Sequence, residues 1–232
     1  MSCGLKQAGV DVVAGIDVDP ACQWPYEHNI KARFVRESVR EITGKDIVRL
    51  WEGRDGRRLL AGCAPCQPFS SQRRGADSKS HESWDLLLEF ARLVNESRPD
   101  FVTMENVAPL KSSPVFNRFL GELAEAGYFI DYKVVRGTDH GLPQTRRRLV
   151  LTASLDGFVS IPDRTVPAGT VATVREAIGG LPAVAAGQAD PNDPLHCARG
   201  LTEINLKRRA ASRPGGSWRD WPDELRAPCH RR

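Results

Sequence analysis

The apolar positions of this chain alternate between two rhythms. Short apolar runs at Val10 to Ile16, which is rich in valine, and at Arg58 to Cys63, Asp100 to Met104, Tyr128 to Arg136 and Leu149 to Ala153 read as strands. Between them, Trp84 to Asn95 places Leu87, Phe90, Ala91 and Val94 at spacings of three and four, the pattern of an amphipathic helix. Val115 to Ala126 repeats that pattern and stops at Gly127, a suitable helix C-cap. A further helix begins at Pro20, and Pro25 is expected to kink or shorten it within Ala21 to Asn29. Strands alternating with helices of about a dozen residues predict an α/β fold with parallel strands in a layered sheet. Ligands of such sheets lie beyond the carboxyl ends of the strands. Asp17, Cys66 and Glu105 all sit at such ends, so three chemically distinct residues are expected on one edge.

After about Asp156 the rhythm fades, Pro, Gly and Ala become frequent, and only Val174 to Ile178 predicts a short helix. The expected organisation is one domain over residues 1–160, followed over 161–232 by linker and irregular surface. At 232 residues and 41% hydrophobic content, the chain can bury a sizeable core. No run approaches the roughly 18 apolar residues of a membrane span, and the first residues lack a secretory pattern, so a cytoplasmic protein without a membrane partner is expected. Six scattered cysteines then read as free thiols. The net charge is only +4, yet Lys207 to Arg232 holds eight basic residues against three acidic ones. That segment also carries Trp218 and Trp221. Such a composition suits a phosphate backbone, and equally a solvated surface.

Residues Gly62 to Gln72 carry the most specific chemistry. Pro65 and Pro68 flank Cys66, fix φ on either side and remove two backbone donors, so the cysteine sits at a rigid corner after a strand. A thiol at such a turn has its thiolate stabilised and becomes a nucleophile. A structural turn thiol and a redox pair, Cys63-Ala-Pro-Cys66, are the alternatives. The redox pair requires Cys63 to be exposed, whereas Cys63 reads as a continuation of the apolar strand. A zinc site would need two further ligands, and His81, His140 and Cys197 lack a recognisable spacing, so no metal is expected. Glu105-Asn106 offers a carboxylate at a strand end, suited to giving or sharing a proton. In Gln144-x-Arg146-x-Arg148 an extended backbone points all three side chains the same way, a donor-rich fork for carbonyl or phosphate oxygens.

Taken together, Gly62-x-x-Pro65-Cys66-Gln67-x-Phe69-Ser70, Glu105-Asn106-Val107 and Gly141-Leu142-Pro143-Gln144-x-Arg146-x-Arg148, in this order, resemble the DNA cytosine-5 methyltransferase family. The resemblance covers residues 1–160, and Val174 to Ile178 continues it. It implies a Rossmann-like methyltransferase fold, S-adenosylmethionine as methyl donor and double-stranded DNA as partner. It further implies that Cys66 adds to C6 of a flipped cytosine, that Glu105 donates a proton toward N3, and that Arg148 holds O2 with help from Arg146. Gln67, Ser70, Asn106 and Gln144 would contact the substrate. Asp17 would take the ribose hydroxyls of the donor, with Val18, Ser38 and Pro65 completing that side. Methylation of transfer RNA uses the same motifs, and a catalytically defective DNA-binding remnant is the non-enzymatic reading.

The pattern departs from the family in several places. The glycine-rich first loop is absent, Ser38 replaces an aspartate, and His81 and Ser83 stand where Asp and Arg are usual. The chain stops at Cys229-His230-Arg231-Arg232, inside what should be the target-recognition region, without the last two family motifs. The expectation is a chain truncated at both ends, or one half of a split enzyme completed by a second polypeptide. These departures fall on the donor side, while the cytosine pocket is complete in sequence.

Overall fold

Residues 1–64 and 85–230 are described by the computed structural model, and they divide into two units, Met1–Thr173 and Val174–Arg232. The first unit opens with helix α1 (Ser2–Gln7), strand β1 (Ala14–Asp17), helix α2 (Gln23–Ile30) and strand β2 (Arg33–Arg36). β1 and β2 pair in parallel, with Asp17 opposite Arg36. Pro25 is the third residue of α2, where no intrahelical N–H bond is yet required, and a 3-10 turn at Pro20–Cys22 precedes the helix.

Helix α3 (Gly44–Trp51) follows, begun by a capping box in which Thr43 and Asp46 each satisfy the other's backbone N–H. Its apolar face buries Ile47 and Trp51 against Leu93, with Ile16, Val35 and Leu60 packed alongside. Strand β3 (Leu59–Gly62), helix α4 (Asp85–Ser97), strand β4 (Phe101–Val107), helix α5 (Pro114–Glu125) and strands β5 (Phe129–Arg136) and β6 (Arg147–Ser154) complete the unit.

The larger sheet runs in the order β3, β4, β6, β5. β3 and β4 are parallel, but β6 runs antiparallel to both β4 and β5, which corrects the expectation of a uniformly parallel sheet. The reason is length: β5 ends at Arg136 and β6 begins at Arg147. That interval is too short for a helical crossover of a dozen or more residues, so the chain must turn back on itself.

Side chains alternate across this sheet. Val102, Met104, Leu149, Leu151 and Ala153 face the core and meet Phe90, Val94, Phe116, Phe119 and Leu123 from α4 and α5. Thr103, Glu105, Arg148 and Val150 therefore occupy the opposite face.

In the second unit, helix α6 (Val174–Ile178) is joined by a hairpin of β7 (Ala189–Asp190) and β8 (Asp193–Cys197) and by helix α7 (Glu203–Ala211). The hairpin and α7 correct the expectation that only one short helix interrupts this region. α7 escapes a periodicity reading because its two large apolar residues, Ile204 and Leu206, stand two apart rather than on one helical face.

The arginines and tryptophans of this unit hold one another. Arg208 lies over the Trp221 ring and donates to the Leu225 carbonyl at 2.7 Å. Arg219 lies over Trp218, whose ring also stacks on His230. Arg213 pairs with Asp220 at 3.0 Å, and Arg226 with Asp223 at 2.7 Å. Much of the basic charge expected to face a phosphate backbone thus serves as internal bracing in a segment where, among the described residues, only Asp190 is buried.

Candidate active site

The antiparallel return of β6 decides the chemistry of the sheet edge. β3 and β4 end there, while β6 begins there, so the C-terminal end of β4 and the N-terminal end of β6 coincide. The register pairs Val107 with Arg148 and Glu105 with Val150. Glu105 and Arg148 are then diagonal neighbours on the face away from α4 and α5. Arg148 Nε lies 2.6 Å from Glu105 Oε1, a charge-assisted hydrogen bond between two partly exposed side chains. Arg148 is steadied further by donating from Nη1 to the Arg147 carbonyl at 2.9 Å. The carboxyl thus accepts from a guanidinium while staying partly open to solvent. The guanidinium beside it offers further N–H donors to a carbonyl oxygen.

Asn106 is placed differently. It is buried, and its amide spans two segments: Nδ2 donates to the Ala64 carbonyl at 2.9 Å, and Oδ1 accepts from the Val107 N–H at 2.8 Å. It braces the exit of β3 against the end of β4. Gly62, the last residue of β3, packs against α4, where an added Cβ would stand 2.7 Å from Phe90 Cε2. Cys63 follows. It is exposed, which corrects the expectation that it continues the buried strand, because β3 stops one residue earlier. Its thiol is nonetheless pushed up, first by the protein packed around it and next by the charge of Glu105.

The loop from β5 to β6 folds back on Gly137. Gly137 N donates to the Arg146 carbonyl at 2.9 Å, and its carbonyl accepts from Leu142 N at 3.0 Å. A Cβ at this position would stand 2.7 Å from the Gln144 carbonyl, so the return requires glycine. Asp139 pairs with Arg164 at 2.8 Å, and His140 Nδ1 meets Thr165 Oγ1 at 3.3 Å, which pins the turn from outside. Gln144 and Arg146 are exposed on this loop, and neither side chain has a partner among the described residues.

On the other sheet, Asp17 and Val18 lie at and just past the C-terminal end of β1. Asp17 Oδ1 accepts from Asp19 N, and Val18 is 61% exposed. Ser38, just past β2, holds a turn by accepting from Arg40 N at 3.2 Å. Pro65, Cys66, Gln67 and Ser70 lie outside the described residues. Among those described, no group of His, Cys, Asp and Glu is arranged to hold a metal, and no helix is long and apolar enough to cross a membrane. Cys63 beside Glu105 is the neighbour that spacing alone did not reveal. The signal appears only once β3 and β4 are set in parallel with Gly62 opposite Met104, which brings position 63 beside position 105.

A family model described as C-5 cytosine-specific DNA methylase matches residues 1–208. The Type II methylase M.HgiDII of Herpetosiphon aurantiacus is 40% identical over 232 residues, covering 99% of this chain and 65% of that protein. The Type II methyltransferase M.XorII of Xanthomonas oryzae is 35% identical over 191 residues, covering 78% of this chain and 44% of that protein. The chain thus spans less than two thirds of the length of either relative. Among solved structures, a protein assigned as a DNA modification methyltransferase and encoded within an E. coli prophage superposes with a TM-score of 0.66 at 26% identity, covering 81% of this chain and 53% of that one. A match over residues 1–208 takes in both sheets of the first unit and the whole of the Glu105–Arg148 edge, and with 40% identity to a Type II methylase it decides the lineage: the chain belongs to the C-5 cytosine-specific DNA methylase family.

Proposed function

We propose that this chain is the catalytic portion of a DNA cytosine-5 methyltransferase, acting on a cytosine flipped out of double-stranded DNA. The observation that carries the reading is the Glu105–Arg148 pair, 2.6 Å apart on the open face at the edge where β4 ends and β6 begins. Inside a duplex C5 and C6 of cytosine are shielded by stacking, so the base must leave the helix to react. Glu105 then meets the N3 and N4 edge, and Arg148 meets O2. Cys66 adds as thiolate to C6, forming the S–C6 bond, while Glu105 gives a proton toward N3 so that the electron density released appears at C5. C5 would take the methyl group, the donor sulfonium leaving as its thioether; loss of the C5 proton then expels the Cys66 thiolate, and return of the N3 proton to Glu105 restores the ring. Gln67, Ser70, Gln144 and Arg146 are assigned to holding the base and its backbone, with the catalytic portion over residues 1–160 and the start of target recognition over 161–232.

S-adenosylmethionine supplies the electrophilic methyl in this reading. The residues offered to it fit an adenosine: an exposed apolar Val18 for the purine face and the Asp17 carboxylate for ribose hydroxyls, with Ser38 and Pro65 assigned to the same side by the resemblance. The test is covalent trapping on duplex DNA containing 5-fluorocytosine with methyl donor present, since fluorine at C5 blocks the last step. An adduct that forms with the wild-type chain and disappears in C66A is expected. An adduct that persists in C66A, or none with the wild-type chain, would falsify the proposal. The same substitution in RNA separates the transfer-RNA reading.

A further inference from the structure

Glu105 has a neighbour on each side of its strand. From β6 comes Arg148, 2.6 Å away. From β3 comes Cys63. The parallel register pairs Gly62 with Met104, which sets Cys63 beside Glu105 as the next step. The bond from Asn106 Nδ2 to the Ala64 carbonyl, at 2.9 Å, carries the same alignment one residue further. Paired residues of neighbouring strands share a face. Thiol, carboxylate and guanidinium therefore share one face, with Cys63 just past the end of β3 and Arg148 diagonal to Glu105 on β6.

We infer that Cys63 is a positioning residue for Glu105: its S–H donates to the carboxylate from the side opposite Arg148, so that the carboxyl is held between two donors. A thiol is a weak donor, but an ionised carboxylate strengthens the bond and a protonated thiol has no other charge to satisfy. The direction of its titration agrees: burial raises the thiol most, and the charge and side-chain hydrogen bonding of Glu105 raise it too, while the Met1 ammonium and the Glu105 backbone N–H act the other way. Arg148 faces the pair from the far side of Glu105. The function of this arrangement rests on the proposed role of Glu105 toward cytosine, whereas the arrangement itself does not.

The two parts are separated by two measurements. Alkylation of Cys63 by iodoacetamide, followed by peptide mass spectrometry from pH 7 to 10.5, reads the contact without any activity. The wild-type midpoint is expected above the roughly 8.5 of an unperturbed thiol. In E105Q it falls, and in E105D, which withdraws the carboxylate by one methylene, it falls part of the way. Identical midpoints in wild type and both variants overturn the inference. Methyl transfer reads the consequence: C63A lowers kcat about five- to tenfold with KM little changed and moves the acid limb of the pH–rate profile, and C63S, which restores a donor, recovers most of the loss. A C63A enzyme with wild-type kcat and pH profile overturns the positioning role. If no variant transfers methyl while the alkylation midpoints still separate, the proposed function fails and the contact stands.

Discussion

Substituting Gly62 by alanine tests whether packing against α4 fixes the strand end that leads into the Cys66 motif. An ideal Cβ there meets Phe90 Cε2 at 2.7 Å and Cζ at 2.8 Å. Non-bonded carbons prefer about 3.5–4.0 Å, so the overlap approaches 1 Å. Phe90 has little room to retreat, because it is nearly buried and its ring stacks on Phe119, which is fully buried. Overpacking of this kind costs about 1–3 kcal/mol, and removing a glycine from a strand returns about 0.5–1 kcal/mol. The net expectation is a destabilisation of about 1 kcal/mol, seen in urea titration as a midpoint lowered by roughly 0.5 M at a slope of about 2 kcal/mol/M. F90L should relieve the clash, so the double-mutant cycle gives a coupling of about 1 kcal/mol in which G62A costs less beside leucine than beside phenylalanine. A G62A midpoint at or above wild type, or strictly additive substitutions, would show that glycine is not demanded by this contact.

Two further outcomes follow from the same geometry. R148M removes the guanidinium from Glu105 but keeps the apolar stem. Because both side chains are partly exposed, stability should change by less than about 1 kcal/mol, while the yield of covalent adduct on 5-fluorocytosine DNA falls at least about tenfold. Loss of the fold and of the adduct together would instead make the pair structural. Glu96 supplies the pH dependence: the Gly44 N–H at 2.7 Å, and next the Arg92 guanidinium, hold its carboxyl below the ordinary range. A depressed folded pKa contributes stability above the unfolded value of about 4.3, lost as pH falls through the lower folded value. E96Q should therefore be less stable at neutral pH and lose less between about pH 5 and 3. Parallel acid-unfolding curves for the two proteins would refute the assignment.

The helices α4 and α5 were legible because their apolar residues recur at three and four and face one core. β4 was legible because it is a short β-branched run. α3 carried equally readable signals, the Thr43-x-x-Asp46 box and the spacing of Ile47 and Trp51, yet its Lys and Arg residues dilute the apolar run. Asn106, which the resemblance assigns to the substrate, adjoins Glu105 in sequence. In a strand, adjacency means opposite faces, and the residue next to the carboxylate is the one turned into the protein. Cys63 shows the converse, since three residues from Cys66 invites a redox pairing along the chain, whereas its neighbour lies across the ladder on β4.

The orientation of β6 links fold to chemistry. Had the strand run parallel to β4, its first residues would lie at the opposite edge of the sheet. At about 3.3 Å per residue over the matched register, Arg148 would stand opposite Phe101, about 13 Å along the strand from Glu105. The turn forbids this. Only 137–146 separate β5 from β6, and Gly137 lets the loop close on the Gln144 and Arg146 carbonyls. A connection too short for a crossover thus carries the arginine to the edge where the carboxylate waits. The same glycine that permits the return fixes the loop bearing Gln144 and Arg146 beside it. A bulky substitution at Gly137 should therefore reach the site by moving the start of β6, disturbing Arg148 while the α4 and α5 core, on the other face, stays intact.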